Sequence, residues 1–230
     1  MTDQQAGGGA GGTFFDAHQR ETIAAAMARI IPTDDQPGAR EANTIAFLDR
    51  YLSGLGFVYA KPDGSGFETL AGKRAEAWRQ RIDIVRAKYV AGIKELDRRS
   101  QAQFNADFAR LTAEQQDRIL ADIERPERQA EAALAEAQAT AGFAPVEPAL
   151  QQTSAEVDLD FFPLLCLHTR QGFYADPIYG GNTGQVGWKL IGFDGPVSLA
   201  EVYTGRYTVL AYFAEEQIDW EKEARRGTEA

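Results

Sequence analysis

Apolar residues recur at helical spacing through the first half of the chain and lose that spacing in the second. Ile23, Met27, Ile30 and Ile31 fall on one helical face and predict a helix from Phe15 to Ile31. Asp16 followed by Gln19 forms a capping box at its start, and Pro32 ends it by disfavouring helical backbone in the residue before it. The turn sequence PTDDQPG leads to a second helix from about Ala39 to Ser53, with Ile45, Leu48 and Leu52 inward and Gly54 just past its end. Residues 54–68 read as a glycine-rich loop or a short hairpin around Asp63-Gly64. The longest apolar stripe joins Trp78, Ile82, Val85, Tyr89, Ile93 and Leu96 and predicts a helix from Leu70 to Ser100, with Trp78 in the core. Gly72 and Gly92 weaken that helix by about 1 kcal/mol each relative to alanine if exposed. After an apolar linker (Phe104, Phe108, Leu111), Thr112 and Gln115 cap a helix to about Glu124 that buries Ile119, Leu120 and Ile123.

Beyond Pro126 the pattern changes. Residues 127–155 are rich in Ala, Glu and Gln, with high helix propensity but little apolar surface, and predict a peripheral helix followed by an extended connector around Pro145 and Pro148. A short helix follows over VDLDFFPLLCLHTRQG, with Pro163 tolerated near its first turn and Gly172 as its stop. From Leu167 to Pro196, aromatic residues alternate with glycines without helical period, which predicts a long ordered loop. Residues 203–213 resemble a strand, and 215–226 a charged helix. The expected fold is mainly α: one domain of about six helices with an ordered Gly/aromatic loop and a short strand near the C-terminus. Its expected divisions are a flexible tail (1–13), a helical domain (14–200) interrupted by an Ala/Glu-rich insertion (126–156), and a C-terminal extension (201–230).

Composition narrows the function more than the fold. A net charge of −10 over 230 residues disfavours a nucleic-acid partner, whose phosphates are met by clustered Lys and Arg. The single cysteine, Cys166, excludes an internal disulfide or a cysteine-rich metal site, and His18 and His168 have no ligand-like spacing. No apolar run approaches the ~20 residues of a membrane helix, so direct membrane insertion is not expected. The first dozen residues lack the basic start, apolar segment or twin arginine of an export signal. A cytoplasmic location is expected, or a periplasmic one through a signal-bearing partner.

The aromatic-glycine segment carries the residues closest to a site of chemistry. Gly180-Gly181-Asn182-Thr183-Gly184 has the glycines of a phosphate loop without its lysine, strand or helix. Cys166 and His168, two residues apart on a helix, do not face each other, and Cys166 is expected to be a buried structural residue. No nucleophile elbow is present. His168 reads first as a hydrogen-bonded histidine tying the segment to its helix, and Asp176-Pro177 as a turn capped by the aspartate. Trp188 fits either the core or an interface. Neither a catalytic nor a cofactor or metal set emerges. The alternative is an independent enzyme or small-ligand binder with a pocket around His168, Tyr174 and Asp176; a general chaperone is a weaker third reading.

His168-Thr169, Gly172-Phe173, Asp176-Pro177, Tyr179-Gly180-Gly181-Asn182, Gly187-Trp188 and Ile191-Gly192-Phe193 together resemble the signature of the gluconate 2-dehydrogenase subunit 3 family. The helix ending in Ile30-Ile31-Pro32-Thr33-Asp34 resembles its other common element, so the similarity spans about residues 14–196. The resemblance implies a small, non-catalytic subunit in a bacterial heteromer. Its partner would be a large glucose-methanol-choline-type flavoprotein that holds FAD and the catalytic histidines and oxidises a sugar or polyol hydroxyl by hydride transfer. A cytochrome c subunit is a further candidate partner. The small subunit would support folding, stability and export in a chaperone-like way, with His168, Thr169, Phe173, Tyr174, Asp176, Tyr179, Asn182 and Trp188 as expected partner-binding residues. The family commonly carries a twin-arginine signal, which is not visible here, and the 126–156 insertion and the tail after Pro196 depart from its pattern.

Overall fold

A computed structural model describes residues 13–124, 156–196, 201–202 and 204. Its regular structure is helical: α1 (Ala17–Ile30), α2 (Thr44–Ser53), α3 (Gly72–Phe104), α4 (113–124), α5 (Phe161–Tyr174) and α6 (Val186–Leu190). Among the described residues the only β pairing is an isolated antiparallel bridge between Ala60 and Phe67, at the base of the turn around Asp63-Gly64. The expected strand at 203–213, the helix at 215–226 and nearly all of the 126–156 insertion lie outside the described residues. No described helix is long and apolar enough to cross a membrane.

Local chemistry sets the helix ends. Asp16 accepts the Gln19 amide at 2.8 Å while the Gln19 side chain accepts the Asp16 amide at 3.2 Å, completing the box that opens α1. Thr112 and Gln115 repeat this at α4. Helix α2 starts later than its apolar spacing suggests. Residues 39–43 form turns, because Asn43 takes a left-handed conformation (φ 53°) that interrupts the helix. The 33-residue α3 runs four residues past its predicted end and is roughly 50 Å long.

The core is built by one face of each helix. Ile23 and Met27 of α1, Leu48 and Leu52 of α2, Val85, Tyr89 and Leu96 of α3, Ile119 of α4, and Leu164 and Leu165 of α5 are all buried there. Phe108, in a 3₁₀ turn between α3 and α4, is fully enclosed. Helices α2 and α5 form the most closely packed pair. Two glycines permit this packing. A Cβ on Gly172 would sit 2.9 Å from the Thr44 carbonyl oxygen, and one on Gly92 would lie 2.1 Å from the Phe161 ring. Gly92 is therefore a contact point between α3 and α5, where the sequence shows only a weak helix former.

Four sequence expectations need correction. Gly172 does not stop α5, which continues to Tyr174, because its missing side chain is used for packing against α2. The segment from Leu167 to Pro196 is not one loop: its first eight residues belong to α5, and its remainder winds through 3₁₀ turns at Pro177–Tyr179 and Thr183–Gln185 into α6. Trp78 lies at the outer end of the α3 stripe, half-buried in a cleft wall rather than in the core. Cys166, expected to be buried, is half-buried on α5.

Candidate functional site

The residues after α5 are held in place by side chains that recognise backbone. Asp176 accepts the Ile178 amide at 2.9 Å and so starts the 3₁₀ turn at Pro177. Asn182, fully buried and left-handed (φ 49°), donates from its side-chain amide to the Ala175 carbonyl and accepts from the Gly187 amide. Gly181 and Gly187 lie so close to the end of α5 that a Cβ would approach the Gly172 and Phe173 carbonyl oxygens to 2.1 and 2.0 Å. Trp188 is 6% exposed, and its indole N–H donates to the Tyr174 carbonyl at 2.7 Å. Arg50 of α2 donates to the Ile178 carbonyl at 2.8 Å, which ties this folded segment back to the first half of the chain.

Between α2, α3 and the end of α5 this arrangement leaves a cleft of about 520 Å³. Aromatic residues make most of its wall: Phe47, Tyr51, Phe57, Trp78, Tyr174 and Tyr179. Arg81, Glu156 and Gln171 are its polar residues. Three arginines stack on aromatic rings in or beside it: Arg50 on Phe57 (5.5 Å), Arg74 on Tyr59 (4.3 Å) and Arg81 on Trp78 (5.0 Å). Such stacking orients a guanidinium without neutralising it.

A buried polar network lies behind the cleft, with Glu156 at its centre. Its carboxylate accepts from the Tyr51 hydroxyl at 2.5 Å and from Arg81 Nη2 at 2.8 Å, and lies 3.7 Å from His168 Nε2. On its other side the fully buried His168 shares a 2.9 Å hydrogen bond between Nδ1 and the Tyr89 hydroxyl. Burial alone would raise the Glu156 carboxyl. The neighbouring His168, the Arg81 guanidinium and the Tyr51 hydroxyl outweigh it and hold the group down at about 2. Burial, reinforced by the Glu156 charge, pushes the Tyr51 hydroxyl far above the ordinary phenol range; burial does the same to Tyr89.

The chemistry of this set is that of a clamp. A carboxylate titrating near 2 is a poor general base at neutral pH, and a phenol held far above its ordinary range is a poor acid. Among the described residues no group of three or more His, Cys, Asp or Glu side chains is placed to hold a metal ion.

The residues singled out by sequence separate into two sets. His168, Thr169, Phe173 and Asn182 are fully buried and Trp188 nearly so; Phe173, Asn182 and Trp188 join the end of α5 to the turns and α6, whereas His168 bonds Tyr89 of α3 and Thr169 bonds the Leu165 carbonyl within α5. Tyr174, 40% exposed, and Tyr179 line the cleft, while Asp176 is half-buried and engaged in its cap. His168, Tyr174 and Asp176 are not brought to one pocket, since only Tyr174 reaches the cleft. Sequence reasoning missed Tyr51, Tyr89, Arg81 and Glu156, which come from two helices, α2 and α3, and the segment before α5. No spacing rule links them. It also missed Asp49, which is 3% exposed and accepts from the Phe14 and Phe15 amides and from Arg20.

No curated protein and no solved structure matches this chain. The family model for gluconate 2-dehydrogenase subunit 3 matches residues 17–195, from the first residue of α1 to the end of the segment that encloses Trp188. Its span therefore takes in every helix that builds the core, the buried network and the cleft, and the chain belongs to the gluconate 2-dehydrogenase subunit 3 family.

Proposed function

We propose that this chain is the non-catalytic small subunit of a dehydrogenase whose large subunit is a glucose-methanol-choline-type flavoprotein. The observation that carries this reading is the family match over residues 17–195. The local chemistry supports it: the signature residues form a packing frame, and the frame leaves an aromatic cleft at the surface. In this reading FAD and the residues that oxidise a sugar or polyol belong to the large subunit, and a cytochrome c subunit accepts the electrons. This chain stabilises the flavoprotein in the cytoplasm, or accompanies it to the periplasm when the partner carries the signal.

The test is co-expression of the tagged chain with a glucose-methanol-choline-type flavoprotein large subunit from the same source. The two are expected to copurify at fixed stoichiometry with flavin absorbance, and the flavoprotein made alone is expected to be less soluble and to melt lower. A flavoprotein equally soluble, stable and active without this chain would remove the reading.

A further inference from the structure

We infer that the aromatic cleft is the docking site for an extended apolar segment of the flavoprotein subunit, and that a carboxylate on that segment pairs with Arg50. The inference rests on the proposed function and specifies where the two subunits meet.

Charge supplies the first argument. Of the three arginines stacked around the cleft, Arg81 is paired with Glu156 at 2.8 Å and Arg74 lies 3.6 Å from Glu68. Arg50, half-buried beside the cleft, donates to the Ile178 carbonyl and lies over the Phe57 ring, and no described carboxylate lies within ion-pair distance of it. The chain as a whole carries a net charge of −10, so a guanidinium without a described carboxylate, lying over the cleft residue Phe57, is a local departure from its overall charge. An incoming acid would complete the set without displacing any internal bond.

Apolar surface beyond the cleft supplies the second. Tyr174, 40% exposed, forms part of the cleft wall, and its carbonyl is bonded to Trp188, whose ring packs edge-on against Phe193 at 5.2 Å. Phe193 (37%), Leu190 (41%) and Ile191 (60%) are exposed beside it. Four of the six large apolar side chains exposed among the described residues thus lie at the cleft wall (Tyr174) and at the C-terminal end of α6 and just past it (Leu190, Ile191 and Phe193). A small ligand held in the cleft would leave Leu190 and Ile191 in water, whereas a peptide segment crossing Tyr174 would cover them. Aromatic anchors in a cleft with apolar surface beside them are what carries most binding energy in protein interfaces.

The test uses the full chain co-expressed with the flavoprotein. Gln171→Trp places a bulky side chain in the cleft from an exposed position, and Ile84→Asp, at another exposed apolar site on α3, serves as control. Gln171→Trp is expected to weaken the complex roughly tenfold or more with the melting temperature of the isolated chain unchanged, while Ile84→Asp leaves binding intact. Arg50→Gln is expected to weaken the complex and flatten its dependence on salt, and Arg50→Lys to restore that dependence. Equal binding by wild type and all cleft variants would overturn the inference and leave the proposed function standing. Failure of the wild-type chain to pair would overturn both. A binding loss that tracks a lower melting temperature of the isolated variant, or a homodimer that Gln171→Trp dissociates, would also overturn it.

Discussion

Glu156 concentrates the electrostatics of this protein in one side chain. It is held by Tyr51 from α2 and Arg81 from α3, and it faces His168 of α5, so a single carboxylate bonds or contacts three helices. Its folded-state value of about 2 lies below its ordinary 4.5, so the stability it contributes is present above the unfolded value and lost as pH falls through the folded one. The contribution is on the order of 3 kcal/mol at neutral pH. Glu156→Gln is therefore expected to lower the melting temperature by several degrees above about pH 5, with the gap to wild type closing as pH falls towards 2 to 3. Thermal melts of both proteins across that range check this; a pH-independent gap would mean that the carboxylate is not held down. None of this was legible from spacing, because Tyr51, Arg81 and Glu156 lie 30 and 75 residues apart in the chain. His168 was legible as a hydrogen-bonded residue, but the partner that holds it, Tyr89, appears in the sequence only as one more member of an apolar stripe.

At the scale of elements, the helices with a strong apolar period were readable and their ends were less so. Asp16/Gln19 and Thr112/Gln115 reveal their caps because capping is local chemistry. The passage of α5 through Gly172, by contrast, depends on α2 packing against the bare backbone there, and no local signal carries that information. The same holds for Gly92, which propensity marks as a weak point and packing makes a requirement. Gly92→Ala gains about 1 kcal/mol of helix propensity but drives a methyl into the Phe161 ring, and overpacking of this kind costs about 1–3 kcal/mol. A net loss of stability is expected in chemical denaturation; a stabilised variant would show that Phe161 moves aside freely. In the aromatic-glycine segment the packing of the single residues, rather than the helix ends, is what the sequence leaves open. Its Phe173, Asn182 and Trp188 enclose one another and the end of α5.

Across the whole molecule, two stretches of chain, 13–124 and 156–196, share one core, and the cleft is shared between them as well. Phe47, Phe57, Trp78 and Arg81 come from the first stretch; Glu156, Gln171, Tyr174 and Tyr179 come from the second. The family signature was legible because its distinctive residues are close in sequence. The cleft was not, since half of its wall comes from residues that carry no motif and are brought to it only by the packing of α2 and α3. A fragment ending at residue 124 would lack Leu164 and Leu165, which fill the core, and Glu156, which pairs with Arg81. It is expected neither to melt cooperatively nor to retain the flavoprotein on a column, whereas the same fragment mixed with residues 156–230 is expected to regain part of both properties; independent folding of residues 1–124 would show that the second stretch is an accessory to a complete first one.

Shared construction of the cleft bears on the order of events during synthesis. Helices α1 to α4 leave the ribosome first, yet the surface they contribute is an incomplete wall with Arg81 unneutralised. The wall closes only after Glu156 and α5 have been made and have docked, and Tyr179 is among its last residues to appear. A partner that docked in the finished cleft, as proposed above, would therefore not engage a chain that stops short of Tyr179, and assembly would be timed by the docking of α5 and the turns after it.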